Sequence, residues 1–169
     1  IILGSASAYV FGSYQAEARR QIAADEAAAT IEEAATDRPE ITEEEMLALF
    51  DEALRQNPDD PELLMRYGKF LFNLERYREA IEAYGKVLEK NPDDPVVRTD
   101  MGTAFYNLGE VHEAMAAFDL ALAADPNHVL ALHNVAIAQI ESMHDVPAAE
   151  QTIRRIEGID ANYPGLGLL

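Results

Sequence analysis

The sequence predicts an all-α protein: a stack of helix-turn-helix units preceded by a long N-terminal helix. Three observations carry this. The stretch from Pro61 to Asp94 repeats itself at a distance of 34 residues, so that Gly68 returns as Gly102, Ala80 as Ala114, Tyr84 as Phe118 and Pro92 as Pro126. The punctuation between helical stretches recurs as Asn57-Pro-Asp-Asp-Pro61, Asn91-Pro-Asp-Asp-Pro95 and Asp125-Pro-Asn127. Alanine is abundant, and no run alternates as a half-buried strand would. A fixed period of this size marks stacked supersecondary units, each burying its apolar face against its neighbours.

The chain opens with an uncharged stretch, Ile1 to Tyr14. As a helix it would rise about 21 Å, short of the roughly 30 Å hydrocarbon core of a bilayer. The expectation is therefore the C-terminal part of a transmembrane helix, residues 1–14, in a single-pass protein. Gly4, Ala8 and Gly12 give it a flat small-residue stripe on which another membrane helix can pack closely. Tyr9, Phe11 and Tyr14 place aromatic rings toward the end that meets water. A signal-peptide remnant, with Ala6-Ser-Ala8 as a cleavage-like site, and a short buried helix are the other readings. Arg19 and Arg20 favour the cytoplasm for the rest of the chain, but Glu17 offsets them. A single anchor with a short N-terminal flank commonly carries its domain outside the cytoplasm, so the extracytoplasmic (periplasmic) side is expected.

Residues 15–41 read as a helical stalk or linker. From Gln15 to Ala35 the chain is rich in Ala, Glu and Gln without Gly or Pro, and all three are strong helix formers. Ile22 and Ile31 are its only large apolar side chains, too few to anchor a core. Asp37-Arg-Pro39-Glu breaks the helix. Thr42-Glu-Glu-Glu45 then reads as a capping box that starts a helix running to Gln56, with Met46, Phe50, Ala53 and Leu54 as its buried face. The spacing Met46, Phe50, Pro58 matches Ala80, Tyr84, Pro92 one period earlier, so residues 42–60 form half a repeat.

Three units follow, over 61–94, 95–128 and 129–160, with 161–169 as a tail. The expected helices are Pro61–Leu74 with Tyr77–Lys90, Pro95–Leu108 with Val111–Ala124, and Val129–Ser142 with Val146–Glu157. Pro61 and Pro95 suit a first helical turn, where no backbone donor is lost, and Asp60 and Asp94 are placed to cap it. Gly68, Gly102, Ala80 and Ala114 are small where the helices of a hairpin cross. Leu64, Tyr67, Leu71, Ile81 and Tyr84 fill the first unit; Met101, Phe105, Phe118 and Leu122 fill the second. In the third, Leu132, Val135 and Ala136 stand at the corresponding places, and one extra residue between Met143 and Val146 shifts the small residue to Ala149 and the large one to Ile153.

This pattern resembles the tetratricopeptide repeat: Leu64, Tyr67-Gly68, Leu71, Ala80, Tyr84 and Pro92 in the first unit, and Arg98, Met101-Gly102, Phe105, Ala114, Phe118 and Pro126 in the second. The match covers residues 57–128, and the third unit departs from it as a divergent terminal repeat. The resemblance implies a right-handed superhelical stack with a concave groove lined by the first helix of each unit. Carried onto this chain, the lining is Glu62, Met65, Lys69, Phe72 and Asn73, then Val96, Thr99, Thr103, Tyr106 and Asn107, then Leu130, His133, Ile137 and Ile140. Such a groove suits an extended or helical peptide with apolar anchors, or the chain's own stalk or tail. Some family members hold chaperone C-termini through clustered Lys, Arg and Asn; here Lys69 stands alone.

The net charge is −18, and there is no Lys or Arg from Thr99 to Ile153. Such a surface repels phosphate, which excludes nucleic acid as a partner. No cysteine is present, so disulfides and thiolate chemistry are excluded. His112 and His144 fall in corresponding turns near Glu113 and Asp145, yet no His pair has metal-binding spacing, and His112-Glu113 lacks the second His of a zinc-protease helix. Neither a metal nor a cofactor is expected, and no phosphate loop or nucleophile elbow appears. The sequence thus points to a non-catalytic, membrane-tethered scaffold or adaptor that binds protein subunits of a larger membrane complex. The alternative is an assembly factor or chaperone-like docking protein, as in cytochrome c maturation.

Overall fold

The computed structural model describes residues 42–168. The expected membrane helix with Gly4, Ala8 and Gly12, and the expected stalk, lie outside the described residues. Within them the chain forms seven α-helices: α1 (Glu43–Gln56), α2 (Pro61–Asn73), α3 (Tyr77–Lys90), α4 (Pro95–Asn107), α5 (Val111–Ala124), α6 (Val129–Glu141) and α7 (Val146–Ile159). A 3-10 turn, Pro164–Leu168, follows. No strand occurs among the described residues, and none of their helices is long and apolar enough to cross a membrane. The helices pair as hairpins, α2 with α3, α4 with α5 and α6 with α7, and each hairpin leans on the next through α3 on α4 and α5 on α6.

Each start has a local cause. The Thr42 hydroxyl accepts from the Glu45 backbone N–H at 3.2 Å, and the Glu45 carboxylate accepts the Thr42 N–H at 2.9 Å, a reciprocal capping box. Those hydrogen bonds hold the Glu45 carboxyl below the usual carboxylate range. Asp60 Oδ1 accepts from the N–H groups of Glu62 and Leu63, and Asp94 Oδ1 from those of Val96 and Val97, at 3.0 to 3.2 Å. The turn inside each hairpin passes through the left-handed region at Glu75 (φ 59°), Gly109 (φ 76°) and His144 (φ 53°). These bends end α2, α4 and α6 at Asn73, Asn107 and Glu141, one residue earlier than expected. Backbone bonds close the first two turns from Arg76 N–H to Leu71 O and from Glu110 N–H to Phe105 O; in the third the bond runs from Asp145 N–H to Gln139 O, one residue longer. The extra residue of the third unit is absorbed there.

Packing explains the recurring small residues. A Cβ on Gly68 would lie 2.5 Å from Cε1 of the buried Tyr84 ring, and one on Gly102 would lie 2.5 Å from Cε1 of Phe118 and 3.2 Å from the Ala114 carbonyl. The glycines thus make room for the aromatic ring of the second helix. Tyr84 and Phe118 are the largest fully buried side chains, with Leu64, Leu71, Val87 and Val97 around the first and Ala114 and Val135 around the second. Two differences from the sequence reading stand out. No residue of α1 is fully buried: Phe50 rests on Tyr67 and Phe70, with ring centroids 5.3 and 5.5 Å away, and stays half-buried. In α7 it is Ile156, one turn beyond Ile153, that is fully enclosed beside Ala149.

The tail repeats the turn between units. Asp160 Oδ1 accepts the Asn162 N–H at 3.0 Å, as Asp125 does from Asn127, and the Tyr163 N–H reaches Asp160 O as that of His128 reaches Asp125 O. Tyr163 then meets His133 of α6 edge-on at 5.5 Å.

Candidate docking groove

The first helices α2, α4 and α6 stand side by side, with α2 touching α4 and α4 touching α6. Between them lies a cavity of about 340 Å³. It collects Lys69, Phe72 and Asn73 from α2, Thr103 from α4 and Leu130 from α6, all named from the sequence. It adds Tyr84, Asp100 and Asn134, which the sequence reading missed. The volume is at the small end for ligand sites, enough for one long side chain and a little backbone.

Thr99 and His133 do not line it. Thr99 is fully buried, and its hydroxyl donates to the Pro95 carbonyl at 2.7 Å. His133 is buried under the tail, where its Nδ1 has no partner among the described residues, and burial pushes its pKa down. In each case the next residue, Asp100 or Asn134, faces the cavity instead. A signal existed: Asp100 and Asn134 are both polar and lie one repeat apart. Met65, Tyr106, Ile137 and Ile140 are half-buried outside the cavity, while Asn107, Glu62 and Val96 are exposed. His112 and His144 are exposed, and no three potential metal ligands converge among the described residues.

The polar groups of the groove are partly committed. The Thr103 hydroxyl donates to Thr99 O at 2.8 Å and accepts from Asn134 Nδ2 at 2.9 Å. Asn107 Nδ2 donates to Thr103 O at 2.8 Å. The Tyr106 hydroxyl donates to Glu141 at 3.0 Å and accepts from the Ser142 hydroxyl at 3.1 Å; burial is the main cause of its raised pKa. Asp100 is different. Lys69 Nζ lies 3.6 Å from Asp100 Oδ2, beyond hydrogen-bond length, and that buried oxygen has no hydrogen-bond partner among the described residues. Burial pushes the Asp100 carboxyl above its ordinary range, against the pull of Lys69.

Among the residues that line the groove no nucleophile stands beside a base, and the mixed apolar and polar lining can hold a ligand. Among solved structures the chain is similar to MamA 41-end from Desulfovibrio magneticus RS-1, at 16% identity and a TM-score of 0.66 over 72% of this chain and 68% of that one. It is similar to the TPR2B domain of yeast Sti1 in its pHsp70 complex, at 27% identity and a TM-score of 0.57 over 62% of this chain and 82% of that one. It is also similar to the first TPR of Spaghetti (RPAP3) bound to the HSP90 peptide SRMEEVD, at 23% identity and a TM-score of 0.60 over 64% of this chain and 89% of that one. No curated protein sequence matches the chain. The family model described as Tetratricopeptide repeat matches residues 47–99 and 74–140, more than half of the sequence. With the 34-residue period, the paired helices and the glycine–aromatic contacts in place, the chain belongs to the tetratricopeptide repeat family.

Proposed function

We propose that the protein is a non-catalytic, membrane-tethered scaffold or adaptor that holds a segment of a protein partner within a larger membrane complex. The observation that carries the reading is the cavity across α2, α4 and α6, where Phe72 and Leu130 offer apolar surface beside Lys69, Asn73 and Asp100. The Sti1 domain and the RPAP3 repeat are described in complex with pHsp70 and bound to an HSP90 peptide, which supports a protein segment as the ligand here. From the cavity the segment runs over Met65, Tyr106, Asn107, Ile137 and Ile140. The uncharged Ile1–Tyr14, with Gly4, Ala8 and Gly12 on one side, supports the tether and a packing contact in lipid. The repeats stand on the extracytoplasmic face.

Two variants test the two halves of the reading in detergent extracts of native membranes. Leu130 is 44% exposed, so Leu130→Arg can enter the groove wall without disturbing the core. It is expected to abolish partner co-purification while leaving the thermal melt unchanged. Gly12→Leu is expected to release the protein from its complex with the repeats still folded. Full co-purification by Leu130→Arg would contradict the groove, and full co-purification by Gly12→Leu would contradict the lipid contact.

A further inference from the structure

We propose that the groove is built for a guanidinium, so that the partner segment is anchored by an arginine seated against Asp100, Asn134 and Phe72. This rests on the groove reading above and names the chemistry it selects.

Two side-chain acceptors of the cavity, on Asp100 and Asn134, are left open among the described residues. Thr103 has spent its one donor on Thr99 O. Asn134 has turned its amide N–H toward Thr103, which leaves its Oδ1 without a partner among the described residues. The buried Oδ2 of Asp100 accepts no hydrogen bond among the described residues, and the Lys69 ammonium stands off at 3.6 Å on a side chain that is 55% exposed. A half-buried carboxylate in that condition is costly until a donor reaches it. Asp100 is on α4 and Asn134 on α6, so the two acceptors are offered from neighbouring helices. A planar fork of donors can meet both, whereas an ammonium is a single point charge. Phe72, on α2, lines the same cavity and gives the plane a ring to stack on. Leu130 beside it suits an aliphatic neighbour in the segment.

Charge agrees. From Thr99 to Ile153 the chain has eight Asp and Glu and no Lys or Arg, so a cationic segment is attracted to the α4 to α7 half of the stack. An acidic segment would meet Asp100 in the cavity and Glu141 at the end of α6, with Lys69 as the cavity's one cation.

The test is a positional-scanning library of acetylated, amidated nonapeptides, free of terminal charge, selected on the full chain. The best binder is then measured by fluorescence anisotropy. Selection is expected to enrich Arg at one position beside an aliphatic residue. Replacing that Arg by citrulline, which keeps the shape and removes the charge, should weaken binding by at least about tenfold, and Asp100→Asn should do the same. Lys69→Met removes the competitor for Asp100 and should strengthen binding up to about fivefold. Enrichment of Asp or Glu, or loss of binding in Lys69→Met, would overturn the proposal and leave the groove reading standing. Arg enrichment that survives both citrulline and Asp100→Asn would overturn it as well. No enriched peptide at all would remove the groove reading and this proposal together.

Discussion

Gly68 and Gly102 are the residues on which each hairpin turns. In a helix interior glycine costs about 1 kcal/mol against alanine, so an exposed glycine there would be improved by the change. Here the sign reverses. The added methyl carbon would sit 2.5 Å from an aromatic carbon of Tyr84 or Phe118, both fully buried. Gly68→Ala and Gly102→Ala are expected to lower stability by about 1–3 kcal/mol, read by urea unfolding. Gly102→Ala should be the worse of the two, because it also approaches the Ala114 carbonyl at 3.2 Å, which cannot rotate away. A gain in stability from either would mean that the ring is not pressed against the first helix.

At the scale of the element, the turns inside the hairpins make the same left-handed bend with three different residues. Gly109 adopts it freely; Glu75 and His144 do so at a cost. A Cβ on Gly109 would meet nothing within 4 Å, so Gly109→Ala isolates the backbone penalty, about 1 kcal/mol of lost stability. Glu75→Gly should recover a similar amount, and the two melting curves should move in opposite directions. The unevenness also explains what the sequence shows and hides. The caps at Thr42, Asp60 and Asp94 were legible because a cap is local: an acceptor side chain next to the first free N–H groups. The bends at Glu75 and His144 were not, since neither residue announces a positive φ, and the helix ends were placed one residue late. The groove lining failed in a similar way. The family pattern assigns the faces of one hairpin, but whether Thr99 or Asp100 reaches the groove depends on how α4 meets α2 and α6, which is a contact between units. The burial of α1 depends in the same way on what lies against it.

The whole molecule is quasi-one-dimensional: each unit touches the next, and a repeat's sequence reports mainly on its own hairpin. That is why the helix pairs were readable throughout the three units while the cavity, made by three first helices at once, was readable only in part. The same geometry separates the surfaces. Of the second helices, α3 gives the groove only Tyr84 and α5 gives it nothing, so a partner in the groove and a partner on α5 are distinguishable by position. Site-specific photocrosslinking in native membranes uses this. A crosslinker is placed in turn at Phe72 and Leu130, which line the cavity, and at Leu120 on α5, which is 50% exposed and outside it. Adducts to one protein are expected from Phe72 and Leu130, suppressed by the selected Arg nonapeptide, and none to that protein from Leu120. Adducts from Leu120 alone, or adducts from the groove positions only to residues 15–41 of the same chain, would contradict the groove as the docking site.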